Sequence, residues 1–532
     1  MIYLLICLPL AAALASWFIL EDRRRRVLLT GTAGLELLLA LSCLVQPPEP
    51  VAGGALALDS IGLLVLTLTC TLFFAAALYA AGYLQSEPAG ERRDFVHGLH
   101  FTNAPEATFT ACLLLFLSSS VLAAASRHFG LLWIGIETTT VVSAPLIYFH
   151  RHRRSLEAAW KYLLLCSVGI AMALVGNLLL DIAVQSTANE TVGMTLSDLV
   201  AAAPGAHQGR LKAAYVFLLI GYGTKMGIAP MHTWLPDAHS EAPSLVSALL
   251  SGALLNCAFL GIFRATEVTA AAGLTDFSDP LLITFGILSM TTGALFIVGQ
   301  GDYKRMLAYS GVEHMGILLL ALGTGGEAAK GGVLHMAGHS LVKAALFLLA
   351  GNILACYRTK IMHDVTGMRR LLPATSALWT AGIIAVCGSP PFVLFASEFS
   401  ILEGLLRRSP PAAVYYLFLL GVVFVGMMLP AQRMYAGAPP PGLERPERKR
   451  SFSVLTPACL IVSALLLGLY MPARLDGLLC GAAPSRPAQA AGYIRDDGAG
   501  AGPRDDIFRV RPGLPALDPN AMHTGAVDDG AQ

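Results

Sequence analysis

Run after run of mostly apolar residues is the feature that most constrains this chain, because a stretch of about 18 or more such residues is long enough to cross a bilayer as a helix. In lipid, a spanning segment must satisfy every backbone N–H and C=O internally, which leaves helices as the answer for segments of this length. Counting such runs gives about 14 spans, near residues 2–20, 27–46, 58–84, 107–126, 129–149, 160–183, 211–231, 243–264, 280–299, 306–323, 333–355, 375–405, 411–431 and 452–471. With 55% hydrophobic and 13% charged residues over 532 positions, the chain carries more apolar surface than a soluble core needs. The expected fold class is an all-α polytopic membrane protein.

The first run is expected to stay attached. Ala13-Leu14-Ala15 resembles a cleavage site, but a signal peptide carries its positive charge before the apolar region, and here Arg23 to Arg26 follow it. Basic residues in short loops mark the cytoplasmic side. One alternating set of loops holds Arg23 to Arg26, Arg92-Arg93, Arg151, Arg153 and Arg154, Lys304-Arg305, Arg358, Lys360, Arg369 and Arg370, and Arg433, Arg445, Arg448, Lys449 and Arg450. The opposite set holds scattered residues such as Arg127, Arg264 and Lys330, with Arg407-Arg408 as the exception. Both termini are then expected outside the cytoplasm.

Several function classes fall away. A net charge of +1 and the lack of a basic patch with interleaved aromatics argue against nucleic acid. The ten cysteines are spread singly with no CxxC pair, so neither an iron-sulfur cluster nor a disulfide framework is expected. No GxGxxG or GxxxxGK[ST] pattern offers a site for NAD, FAD or ATP, and no cofactor is expected. From residue 473 onward, stretches such as "DDGAGAGPRDD" read as a tail without fixed structure or a second domain.

Two spans are interrupted. Span 7 carries Lys225 and is then broken by "GIAP", ending at Pro230; span 12 is broken by "GSPP", Gly388 to Pro391, and then carries Glu398. Gly/Pro-broken helices at corresponding places in two halves are a sequence trace of inverted repeats, with spans 4–8 and 9–13 as the halves; prolines kinking ordinary helices are the alternative.

Ionisable side chains inside spans cost roughly 2.5–3.5 kcal/mol each on insertion scales and persist where they pair or face a polar cavity. Here they are Glu137 in span 5, Lys225 in span 7, Glu313 and His314 in span 10, His335, His339 and Lys343 in span 11, and Glu398 in span 12. Positions i, i+4 and i+8 share one helix face, so His335, His339 and Lys343 form a ladder about 12 Å long. Imidazole takes a proton on one nitrogen and releases it from the other, which suits hopping. Lys225 paired with Glu137 would change its proton affinity as the pair loosened or tightened, and Pro230 would free carbonyls and admit water beside it. A static ion pair and structural histidines are the alternatives. Metal or haem ligation is not expected, since one helix cannot clamp both faces of a haem from i and i+4 and no HExxH-like base accompanies the histidines. Glu313 and His314 lie close enough to the inner boundary to be an interfacial pair, with an auxiliary place in the proton pathway as the alternative, and Glu36 and Asp59 read as peripheral or structural.

The blocks "GYGTKMGIAPMHTWLPDAHSEAPSLVSALLSGALL" (221–255), "GDYKRMLAYSGVEHMGI" (301–317) and "LHMAGHSLVKAALFLLAGNI" (334–353) resemble the antiporter-like proton-translocating subunits shared by respiratory complex I, multisubunit cation/proton antiporters and group 4 membrane-bound hydrogenases. With "ETTTVVSAPLIYFHR" and "LEAAWKYLLLCSVGIA" upstream, the wording most closely resembles component F of hydrogenase 4. The resemblance covers roughly residues 55–430. It implies 14 helices arranged as N-terminal helices (1–106), a first five-helix repeat (107–264), an inverted second repeat (280–431) and a C-terminal helix (452–471), with 473–532 as the tail.

It further implies that Glu137 and Lys225 are the switching pair, and that His335/His339, Lys343 and Glu398 continue the proton path. Partners would be other membrane subunits and a peripheral redox arm such as a nickel-iron hydrogenase. The cargo would be protons, with Na+ as the alternative, and the location a bacterial-type inner membrane. The chain itself would be non-catalytic, with no redox site of its own. One departure stands out: many relatives carry Lys or His in span 8 where this chain reads "GALLNCAFL", leaving Asn256, which cannot titrate. The link from Lys225 to span 11 is then expected to use water, His232 or His239. The rival functions are a Na+/H+ antiporter subunit without a redox partner, and a membrane anchor that no longer transports.

Overall fold

The computed structural model describes residues 1–87, 90–93, 100–185, 191–443 and 451–482. Arg445, Arg448, Lys449 and Arg450, the side chains of Arg92 and Arg93, and the stretch 483–532 lie outside the described residues. Among the described residues, apart from one antiparallel pair, β1 (Glu91–Arg93) with β2 (His100–Thr102), the regular structure is helical. In chain order the helices are α1 (Ile2–Phe18), α2 (Asp22–Val45), α3 (Ser60–Ser86), α4 (Glu106–Ala125), α5 (Phe129–Ile147), α6 (Arg153–Gln185), α7 (Leu196–Ala202), α8 (Gln208–Met226), α9 (Trp234–Glu241), α10 (Ser244–Leu249) and α11 (Leu255–Ala271). There follow α12 (Thr275–Ile297), α13 (Tyr303–Thr324), α14 (Gly326–Tyr357), α15 (Met368–Leu371), α16 (Pro373–Val386), α17 (Val393–Arg408), α18 (Pro410–Tyr435), α19 (Ser451–Leu469) and α20 (Ala473–Ala482).

Every segment expected to span is helical. Among the described residues ten helices are long and apolar enough to cross a membrane, counting Ser244–Ala271 as one, or eleven if the bent pair 453–469 and 473–482 is a single span. The other expected spans are short or broken: α1, α8 with α9, and α16 with α17. The chain is still helical over α20, inside the stretch expected to lack structure, because Leu475, Leu478, Leu479 and Ala482 give it an apolar face against the bundle.

The bundle is apolar on its outside as well as its inside: Leu38, Leu295 and Phe418 are 65%, 68% and 62% exposed. A soluble protein rarely leaves such a belt uncovered, whereas hydrocarbon covers it at no cost. The most enclosed helices are α11, α13 and the middle of α14, and Glu313, His314, His335, His339 and Lys343 sit on the last two. Between α10 and α11 the turn Leu250–Leu254 is π-helical, a local widening that often marks a functional position; Asn256 is the second residue after it.

Close packing of α12 on α13 depends on missing side chains. A Cβ on Gly316 would lie 2.6 Å from the Gly286 carbonyl oxygen and 2.8 Å from the Met290 nitrogen, so backbone meets backbone there. Gly316→Val is therefore expected to destabilise the bundle by about 2 kcal/mol or more. Thermal unfolding in detergent reads this directly, with Gly421→Val as the neutral control because nothing lies within 4 Å of a Cβ at Gly421.

Loops meet at two ends. At one end Arg26 binds Glu106 in a two-bond fork at 2.7 Å each, and bridges join Asn103 to His150 and Asp302 to Ile361. At the other end the start of α3, the α4–α5 turn and the start of α7 come together through bridges Leu56 to Ser126 and His128 to Thr195.

Candidate proton-transfer site

Both broken segments are stopped by the same local device. After α8, Gly227 adopts φ 78°; its N–H donates to the Thr224 carbonyl at 3.2 Å, and the next N–H, of Ile228, to Gly223 at 3.1 Å. After α16, Gly388 adopts φ 62°; its N–H donates to Ala385 at 3.2 Å and that of Ser389 to Ile384 at 3.3 Å. This is a Schellman pattern, and its left-handed residue favours glycine. The Trp234 indole N–H donates back to the Thr224 carbonyl at 2.8 Å, and the Ala229 N–H to Ser289 Oγ at 2.9 Å, so the break after α8 is tied on both sides.

Beyond this break, α9 is clamped by charge. Asp237 accepts from Lys161 at 2.9 Å and from Arg305, Glu241 accepts from Lys360 at 2.8 Å, and Ser240 donates to Asp302 at 2.9 Å. Lys304 donates to the Ala242 carbonyl at 2.6 Å. These anchors lie in the quoted block "PDAHSEAP" and its partner "GDYKR", where acids and bases near a helix break were the available signal.

Lys225 occupies the last turn of α8 and is fully buried. Its ammonium donates to Thr140 Oγ1, to the Ile136 carbonyl at 3.3 Å and to the Tyr162 hydroxyl at 3.4 Å, and lies 5.6 Å from the Tyr162 ring centre. Tyr162 in turn shares a 2.7 Å hydrogen bond with Ser143. Cys166 and Cys257 lie near the amine, the latter on α11 next to Asn256.

No ion pair joins Lys225 to Glu137, contrary to the pairing expected from sequence. Lys225 meets the face of α5 that carries Ile136 and Thr140, and residue 137 is turned about 100° from residue 136 around a helix. Glu137 instead accepts from Ser167 Oγ at 3.2 Å and keeps Oε2 without a partner. The carboxylate sits beside the lysine pocket rather than in it.

The α14 ladder is enclosed: His335, His339 and Lys343 are all 0% exposed. Lys343 donates to Ser310 Oγ and to the Leu307 carbonyl on α13. His335 links two helices, with Nε2 2.8 Å from His314 Nδ1 and Nδ1 3.0 Å from Ser397 Oγ. The His314 ring centre is 4.8 Å from that of His339, whose two nitrogens have no partner. Glu398, the residue after Ser397, turns its carboxylate onto the break, where a Cβ on Gly388 would fall on top of it.

Glu313 and His314 are not an interfacial pair. Each is 1% exposed, because they lie about ten residues, roughly 15 Å, into α13. Their side chains complete the ladder from the facing helix, and the Glu313 carboxylate lies 3.8 Å from His314 Nε2. Asn256 donates to Ser340 Oγ at 2.8 Å and to the Gly252 carbonyl at 2.6 Å, leaving Oδ1 unpartnered. Ser340 follows His339, so Asn256 reaches the ladder directly. His239 stacks on Phe347 at 4.8 Å, one turn beyond Lys343, whereas His232 lies against Phe296 and Tyr309.

Thr140, Tyr162, Ser310, Ser340 and Ser397 were not singled out from sequence; hydroxyls are common in spans, and only a fixed register reveals which ones face a charge. His314, His335 and Glu398 bring ligand atoms within 4.8 Å of one another, the grouping among the described residues that a metal would find. The 2.8 Å His314–His335 separation is a hydrogen bond, shorter than the about 3.3 Å between two nitrogens sharing a tetrahedral ion. The cluster is joined by hydrogen bonds from ring to ring and from ring to hydroxyl.

Known proteins share this arrangement of chain. Residues 126–425 match the family described as "NADH:quinone oxidoreductase/Mrp antiporter, TM". A hydrogenase-4 component F homolog of Methylacidiphilum infernorum is 33% identical over 424 residues, 79% of this chain and 87% of that protein. NAD(P)H-quinone oxidoreductase chain 4 1 of Picosynechococcus is 31% identical over 373 residues, 68% of each. Among solved structures, a chain of the archaeal membrane-bound sulfane sulfur reductase superposes with TM-score 0.78 at 22% identity, covering 93% of this chain and 99% of that one. A chain of the Mrp complex from Dietzia superposes with TM-score 0.77 at 20% identity, covering 93% and 98%. A chain of Thermus thermophilus complex I superposes with TM-score 0.76 at 22% identity, covering 91% and 99%. The chain, a polytopic helical membrane protein with Lys225 and Glu398 enclosed at its two helix breaks, belongs to the NADH:quinone oxidoreductase/Mrp antiporter transmembrane family.

Proposed function

We propose that this chain is the proton-translocating membrane subunit of a membrane-bound oxidoreductase complex of the hydrogenase-4 and NADH-quinone oxidoreductase kind, with the redox chemistry in partner subunits. The observation that carries the reading is the buried relay from His314 through His335 to Ser397, with Glu398 beside it. Each imidazole nitrogen of His335 has a partner on a different helix, which is what a hop from α13 to α17 needs. The path runs from Lys225, past Asn256 and Ser340, to His339, His314 and His335, and leaves by Glu398; Lys343 and Glu313 set its electrostatics. A charge change at a neighbouring subunit reaches Lys225 through Glu137, which acts across the Thr140 side of the pocket.

The partners in this reading are other membrane subunits and a peripheral redox arm, a nickel-iron hydrogenase by the relationship to hydrogenase-4 component F. The two breaks, stopped by the same hydrogen bonds, support reading spans 4–8 and 9–13 as inverted repeats of a 14-helix bundle. The basic loops support a bacterial inner-membrane orientation with both termini outside the cytoplasm.

The test is Glu398→Gln in the assembled complex, in vesicles that report both electron transfer and acidification. The amide keeps the shape and still orients water but cannot carry the proton, so pumping per electron is expected to fall about threefold with uncoupled electron transfer unchanged. Full pumping would overturn the exit. The family description also favours a second reading, a Na+/H+ antiporter subunit; acidification driven by a Na+ gradient with no redox substrate would support it instead.

A further inference from the structure

Arg264 plays no part in the path above, and it is not the loop residue that its place in sequence suggested. It lies in α11 with a side-chain exposure of 0%. Nη2 donates to Asp59 at 3.3 Å and 3.4 Å, while Nε and Nη1 have no partner. Asp59 and Arg127, 3.9 Å apart, are 23% and 31% exposed, so solvent reaches this far from the end where α3 starts. Gly62 keeps the way clear: a Cβ there would stand 2.6 Å from Asp59 Oδ1 and 3.4 Å from Arg264 Nη2.

Behind Arg264 the polar groups lead toward Lys225. Tyr222, three residues before Lys225 on α8, presses its ring onto Gly261, where a Cβ would come within 2.7 Å. Its buried hydroxyl has no hydrogen-bond partner, and the groups it faces are Asn177 and Arg264. Glu267, one turn past Arg264, faces Asp59, Arg264 and Arg127 and has an unpartnered buried oxygen. Such under-used polar atoms in an enclosed site are characteristic of a hydrated one.

A guanidinium does not release its proton in proteins, so Arg264 cannot relay one. What it supplies is a fixed positive charge in a low-dielectric wall, a barrier to hydronium of the kind that keeps protons out of water pores. We propose that Arg264 is an electrostatic seal that closes the Lys225 pocket toward the Asp59 end and so keeps its proton for the lateral route to α14. This rests on Lys225 as a proton carrier. A purely structural ion pair would engage the guanidinium more fully, since leaving buried charged donors unpaired is costly.

The experiment is passive proton leak in proteoliposomes holding the whole complex without redox substrate. Arg264→Gln is expected to raise leak about tenfold, from the loss of a unit charge's repulsion at short range. Asp59→Asn leaves the cation in place and should not leak, whereas a structural role predicts that it behaves like Arg264→Gln. Adding Lys225→Ala to Arg264→Gln should return the leak to the wild-type level. Leak that persists in the double variant, or an assembled Arg264→Gln that does not leak, overturns the seal. If Lys225→Ala abolishes pumping while Arg264→Gln stays tight, the seal fails and the proton path stands. Should Arg264→Gln not assemble, Arg264→Lys decides: its amine can lose charge at alkaline pH, so leak should rise with pH where the wild type stays flat, and a flat response overturns the proposal.

Discussion

Lys225→Ala is expected to lower proton pumping by about tenfold or more, with the complex still assembled and electron transfer intact when uncoupled. The size of the effect follows from the environment of the amine. It is fully buried and meets two hydroxyls and a carbonyl, with no carboxylate in contact, so no neighbour can stand in for it. Removing it breaks no direct ion pair, since Thr140 and Tyr162 are neutral, Tyr162 keeps its bond to Ser143, and Glu137 acts on the amine only from beside the pocket. Buried charges that lose a contacting partner are what unfold proteins, and here no contacting partner is lost, since Glu137 keeps its bond from Ser167. Lys225→Arg should fail as badly as alanine, because a guanidinium keeps the positive charge and cannot give up the proton. A pumping Lys225→Arg variant would mean that charge alone suffices. Glu137→Gln should cost less than either, since Glu137 acts from beside the pocket; equal losses would point back to a tight pair.

That difference between Glu137 and Lys225 marks where sequence reading stops. The helix breaks were legible because "GIAP" and "GSPP" impose backbone chemistry that needs no partner, and the α14 ladder because i, i+4 and i+8 share a face on any helix. Rotation of one helix against another is not written in either. Glu137 and Lys225 sit on the expected spans, yet about 100° of helix rotation puts Ile136 and Thr140 against the amine. Glu313 and His314 were placed near a boundary from the position of their apolar run, which begins later than the helix does: α13 starts at Tyr303, capped by Asp302, whose side chain accepts from two backbone N–H groups. Arg264 read as a loop residue because charge is normally outside; the glycines at 62 and 261 that make room for its surroundings declare nothing until the neighbouring helix is known. Asn256, the missing titratable group of span 8, is a contact to Ser340 rather than a gap.

The second large effect is expected at His335. Among the described residues it is the one whose two ring nitrogens reach side chains of both flanking helices, His314 on α13 and Ser397 on α17. Leucine is close in volume and Ser397 keeps its bond to the Leu394 carbonyl at 2.8 Å, but His314 Nδ1 loses its partner, so His335→Leu should assemble and unfold somewhat below the wild-type temperature. Pumping should nevertheless drop by about tenfold or more, because the hop between α13 and α17 has lost its carrier. His335→Gln sharpens the comparison. Its amide can reach toward both partners, but its nitrogen only donates and its oxygen only accepts, so it cannot exchange roles as imidazole does. If hydrogen bonding between the helices were all that mattered, glutamine would restore function where leucine does not. If proton exchange at the ring is what matters, both variants should stay near the same low rate. Pumping above half of wild type in His335→Leu, measured in the assembled complex, would remove His335 from the path and leave His339 with His314, and Lys343 with Glu313, as the ionisable bridges between α14 and α13.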